Sequence, residues 1–144
     1  MAVDEINASG GVLGHPLSLS VLDTETVSAV AVEGARRLVG EGVVAVIGPG
    51  TSSATIEVAQ QVLIPAGIPM ITPSATSPVV AGIEDSGLVW RTVASDEFQG
   101  RLAADWAFDQ GHRIASILHI DNAYGIGLAE AFAGQFESLG AQVL

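Results

Sequence analysis

In Gly42-Val43-Val44-Ala45-Val46-Ile47-Gly48-Pro49-Gly50-Thr51-Ser52-Ser53-Ala54, an unbroken apolar run gives way to glycine, proline and hydroxyls. Helical spacing then takes over, with Ile56, Ala59 and Leu63 on one face of Ser52–Ala66. An apolar run without alternation is the mark of a parallel strand covered on both faces. A strand that turns directly into a helix is half of a βαβ unit, and ligands gather at the carboxyl end of such a strand. The free N–H groups of the first helical turn, with the positive end of the helix dipole, suit a carboxylate. Thr51, Ser52 and Ser53 offer hydroxyls that cap the helix or reach a ligand.

The same alternation extends in both directions. Further strand candidates are Leu17–Leu22, Ile68–Thr72, Leu88–Thr92, Arg113–Ile120 and Gln142–Leu144. Between them lie segments of helical period. Val27, Val30, Ala31, Ala35 and Leu38 share a face of Thr26–Gly40, and Phe98, Leu102 and Trp106 share a face of Asp96–Gln110. A last helix carries Leu128, Ala131, Phe132, Gln135, Phe136 and Leu139, and Gly40, Gly67, Gly111 and Gly140 stand where helices end. This order predicts an α/β fold with a doubly wound parallel sheet.

Two more loops follow predicted strands. Ile71-Thr72-Pro73-Ser74-Ala75-Thr76-Ser77-Pro78 is rich in hydroxyls and opens the longest irregular segment, Thr72–Gly87. It reads either as a second ligand loop beside the first or as a turn stiffened by prolines. Asp121-Asn122-Ala123-Tyr124-Gly125-Ile126-Gly127 places a tyrosine at a strand end, where it stacks on a ligand or packs with its hydroxyl in water.

Composition excludes several functions. The 144 residues are 49% apolar and 15% charged, so they form a core rather than a disordered chain. Net charge is −11, with five arginines and no lysine, which argues against nucleic acid as a partner. With no cysteine there is no disulfide, thiol nucleophile or cysteine metal site. No apolar run reaches membrane-spanning length, and no secretion signal is visible. Enzyme signatures are missing too. Gly48-Pro49-Gly50 and Gly125-Ile126-Gly127 lack the third glycine of a dinucleotide loop, and a phosphate loop would need a lysine. Ser52, His119 and Asp121 have triad chemistry, but no Gly-x-Ser-x-Gly elbow presents the serine. His15, His112 and His119 show no metal-ligand spacing. No catalysis and no cofactor are expected.

Five segments in uninterrupted order resemble branched-chain amino-acid-binding proteins, a family of type I periplasmic binding proteins. Ala2–Gly14 resembles the end of their first helix, and Gly42–Gly48 their third strand. Ala66–Thr76 resembles the segment with their second binding loop. Arg91-Thr92, Asp96 and Gln99-Gly100 resemble the crossover between their lobes, and Tyr124-Gly125 with Gly127-Leu128-Ala129 an early loop of the second lobe.

The resemblance implies two flavodoxin-like lobes that close on a ligand about a hinge. Residues 1–93 correspond to lobe one without its first strand, and 94–144 to the start of lobe two. By resemblance Ser52, Ser74 and Thr76 hold a ligand's carboxylate and amine, with Ala75 in the same loop backbone. Asp96 and Tyr124 face the ligand from lobe two, where Asp96 pairs with an ammonium group. The implied function is the solute-binding component of an ABC importer. Its partners would be an amino acid or amide and a membrane permease, and its place periplasmic or extracellular, with a lipid anchor in the full-length protein as a further option. A ligand-sensing regulator of the same fold and a truncated fragment without function are the alternatives. The opening residues read as the end of a helix and the closing ones as a strand just begun. The expectation is therefore a fragment with unpaired sheet edges and weak or no ligand binding on its own.

Overall fold

The computed structural model describes residues 1–144. Six α-helical segments and five short strands follow in order: α1 (Ala2–Ala8), α2 (Ser28–Gly40), β1 (Val46–Ile47), α3 (Ser52–Val58), α4 (Ile64–Ala66), β2 (Met70–Thr72), β3 (Val89–Arg91), α5 (Asp96–Asp109), β4 (Ile114–Ala115), α6 (Ala123–Ser138) and β5 (Gln142–Val143). A π-helical turn, Ala59–Leu63, joins α3 to α4, so residues 52–66 form one continuous rod as the spacing predicts. Pro65 sits just beyond this turn. It has no N–H to donate, and its ring crowds the carbonyl four residues back, which explains the local widening. Gly67 ends the rod in a left-handed conformation (φ 68°) that a side chain would resist.

Strands β1, β2 and β3 form one parallel sheet in that order, and β4 and β5 pair in parallel as a second. Residues 92–95 connect the two units. Val46, Met70 and Val89 stand in one register row, and Ile47, Ile71 and Trp90 in the next. The first row faces α2 and the α3 rod, where Val58, Leu63 and Met70 are buried with small residues such as Ala31, Ala35, Ala54 and Ala59. In the second unit Phe136 is fully buried and stacks on Phe132, with ring centroids 5.2 Å apart.

Three expectations are corrected. Leu17–Leu22 is not a strand. A strand needs a neighbour to pair its backbone. Here the side-chain amide of Asn7 clasps Leu17 instead, accepting from its N–H at 2.7 Å and donating to its carbonyl at 2.9 Å. Second, the apolar runs are paired over only two or three residues each, and the sheet is covered on one face only. Ile47, Ile71 and Trp90 on the other face are exposed. Third, the apolar stripe of α5 is not its packed face: Phe98, Leu102 and Trp106 are 69%, 67% and 65% exposed. The buried side carries Asp96, Gly100 and Ala104. That side is displaced by two residues, about 200° around the helix. Close approach decides it, because a Cβ on Gly100 would lie 2.6 Å from the Ala131 side chain of α6.

Candidate functional site: a cleft between the two units

The carboxyl ends of β1 and β2 share one rim, and hydroxyls tie the loops there together. The buried Thr72 hydroxyl donates to the Pro49 carbonyl at 2.7 Å and accepts from the Ala75 N–H at 3.2 Å. Thr55 donates to the same carbonyl at 3.2 Å. Ser74 Oγ donates to the Gly50 carbonyl at 2.6 Å, and Ser52 Oγ accepts from the Ser77 N–H at 3.2 Å. The Arg91 guanidinium donates from Nη1 to the carbonyls of Thr76 and Ser77, at 3.2 and 3.0 Å. Two adjacent loops thus form one cross-bonded wall.

The first turn of α3 points out of this wall. Thr51 occupies the cap position, yet no side chain caps the helix. The N–H groups of Ser52, Ser53 and Ala54 have no backbone partner. None of the three hydroxyls caps the helix; those of Ser52 and Ser53 accept from backbone N–H groups elsewhere. Ser52 spends an acceptor lone pair on Ser77, which leaves its proton to donate.

Opposite stands the amino end of α6. Asn122 caps it, with Oδ1 accepting from the N–H groups of Tyr124 and Gly125 at 3.1 and 2.9 Å. Ser53 Oγ accepts from the Ala123 N–H at 3.3 Å, which bridges the two units. Between them lies a cleft of about 320 Å³ lined by Gly50, Thr51, Ser52, Ser53 and Ser74 on one side and Ile120, Asn122 and Tyr124 on the other. Tyr124 is 40% exposed at its mouth.

Three of the predicted site residues, Ser52, Ser74 and Tyr124, therefore line the cleft. Ala75, Thr76 and Asp96 do not. Ala75 is buried behind the wall, and Asp96, at the start of α5, is 1% exposed. Its Oδ2 accepts from the Thr76 hydroxyl at 2.7 Å, its N–H donates to the Thr76 carbonyl at 2.9 Å, and its Oδ1 has no partner. Asp96 thus ties the second loop to the connection between the units. Thr55, Thr72 and Arg91, which shape the wall, were not singled out as site residues from the sequence. Only their position at strand ends and after the glycine turn pointed to them.

A parallel α/β unit whose strand-end loops face a second such unit across a polar cleft is an arrangement in which small ligands bind. The chain belongs to the periplasmic binding protein family, which it matches over residues 1–144. It is 39% identical to the Leu/Ile/Val-binding protein BraC3 of Rhizobium johnstonii over 135 residues, 91% of this chain and 35% of that protein. It is 34% identical to the ABC transporter substrate-binding protein of Desulfitobacterium hafniense in complex with Leu. That structure superposes with a TM-score of 0.81 over 99% of this chain and 42% of its own. The branched-chain amino acid transporter substrate-binding protein LivJ of Streptococcus pneumoniae, in complex with isoleucine, gives a TM-score of 0.83 at 28% identity, over 99% of this chain and 40% of its own. The chain thus spans well under half the length of these relatives.

Proposed function

We propose that this chain is part of the solute-binding component of an ABC importer, acting outside the cytoplasmic membrane without catalysing a reaction. The solute is an amino acid or a similar small polar molecule, held between residues 1–93 and 94–144 and released to a membrane permease. The observation that carries this reading is the uncapped first turn of α3, opening with Ser52 and Ser74 into a cleft that Tyr124 faces. A carboxylate there would receive the free N–H groups and the Ser52 proton, charge-assisted bonds stronger than those between neutral groups. Asp96 and Thr76 contribute from behind the wall. Asp96 acts on the ligand's ammonium as a nearby negative charge and through the Thr76 hydroxyl it holds. The names of the relatives, which include Leu/Ile/Val-binding and complexes with leucine and isoleucine, favour a branched-chain amino acid as the solute. Closure about residues 92–95 follows if the ligand binds the closed arrangement better than the open one.

Titration of the ¹⁵N-labelled protein with millimolar leucine, followed by NMR, tests this even where binding is weak. The expected result is movement of the amide signals of Ser52, Ser53, Ala54 and Tyr124. Leucinol, which lacks the carboxylate, should leave the first three unmoved. Equal responses to leucine and leucinol, or movement only elsewhere, would contradict the reading.

A further inference from the structure

Beside the cleft, α6 meets the second loop at one point without a side chain between them. Gly127 is buried in α6, one helical turn beyond Tyr124. A Cβ built on it would lie 2.7 Å from Pro78 Cδ and 3.3 Å from Ser77 Oγ. The first distance is about 0.7 Å short of ordinary van der Waals separation. The opposing surface has little room to yield. Ser77 is fully buried, its N–H bonds to Ser52, its carbonyl accepts from Arg91, and its own hydroxyl caps the 3₁₀ turn that Pro78 begins. The other glycines of α6 have different surroundings. A Cβ on Gly125 would strike the Ile120 carbonyl of its own unit, and one on Gly134 would meet nothing. Glycine is a poor residue for a helix interior, so local helix stability does not account for Gly127. Packing against Pro78 does.

We propose that Gly127 is the stop that sets how closely α6 approaches the Ser77–Pro78 loop, and with it the width of the cleft. The helix is stiff over a single turn, so displacing Gly127 from Pro78 withdraws Asn122 and Tyr124 from Ser52 and Ser74. It also opens the Ser53–Ala123 bridge. Gly127 is a positioning residue for the proposed ligand site, and that part of the inference rests on the function proposed above.

The chain has no cysteine, so Gln60→Cys and Glu137→Cys, both at exposed positions, accept a pair of spin labels cleanly. Electron–electron distance measurement on this pair reads the separation of the two units without any ligand. Gly127→Leu should lengthen and broaden the distribution, Gly127→Ala should shift it less in the same direction, and Gly134→Ala should leave it unchanged. Adding Pro78→Ala to Gly127→Ala removes Cδ and should restore the original distance. An unaltered distribution in Gly127→Leu, or no restoration by Pro78→Ala, overturns the proposal. In the leucine titration Gly127→Leu should weaken the response about threefold or more, with Gly134→Ala as wild type. A lengthened distance with unaltered leucine affinity refutes the link to cleft width. If the wild-type protein ignores leucine, the functional reading fails while the distance series still decides whether Gly127 is the stop.

Discussion

Replacing Thr72 by valine keeps the shape of a fully buried side chain and deletes one oxygen. That oxygen makes two bonds, donating to the Pro49 carbonyl at 2.7 Å and accepting from the Ala75 N–H at 3.2 Å. The two losses are unequal. The Pro49 carbonyl keeps its bond from Thr55, so its cost is near the net value of one hydrogen bond, about 1 kcal/mol. Ala75 is itself fully buried, and an N–H left there without a partner costs about 1–3 kcal/mol. Together the variant should lose roughly 2–4 kcal/mol. For a chain of this size that lowers Tm by about 5–15 °C. Thr72→Ser, which retains the oxygen and loses a methyl, should cost only ~1 kcal/mol. Thermal unfolding followed by circular dichroism measures both variants. If Thr72→Val unfolds at the wild-type temperature, or Thr72→Ser falls as far as Thr72→Val, the hydroxyl is not what joins the two loops.

Arg91→Met retains much of the aliphatic bulk and removes the guanidinium that pins the Thr76 and Ser77 carbonyls. It should cost about 1–3 kcal/mol in urea unfolding and speed amide exchange in residues 74–79. Unaltered exchange there would show that the loop holds itself. Asp85 receives the N–H groups of Gly87 and Val89 at 2.9 and 2.7 Å, and these bonds hold its carboxyl below the usual carboxylate range. A lowered folded-state pKa means that the stabilisation is present above the unfolded value of 3.8 and fades as pH falls through the folded value. Asp85→Asn should therefore be less stable than wild type at neutral pH, and the gap should narrow below about pH 4. A gap that stays constant into acid would remove the carboxylate from that turn.

The sequence already located the rod from Ser52 to Ala66, the helix ends at Gly67, Gly111 and Gly140, and β1, β2, β3 and β5 within three residues of their paired cores, whereas Arg113–Ile120 overran β4 by five residues. These rest on local causes: side-chain spacing and the conformations open to glycine. The two hydroxyl-rich loops were legible as well, because consecutive parallel strands must end on one edge of the sheet. Ser52, Ser74 and Tyr124 could be named from that, with the resemblance to choose among the hydroxyls.

Only the tertiary structure decided the rest, because each remaining choice depends on a partner distant in sequence. Period alone cannot tell which stripe of α5 is buried, and the close fit of Gly100 against Ala131 selected the small side over the aromatic one. Leu17–Leu22 has the residues of a strand, but pairing requires a neighbouring strand, and here only the Leu17 backbone is bonded, by the Asn7 side chain. The resemblance implies Thr76 and Asp96 beside the ligand, but no spacing could show that the Thr76 hydroxyl donates to Asp96 behind the cleft wall, because a buried carboxylate binds the donor that the fold brings within reach.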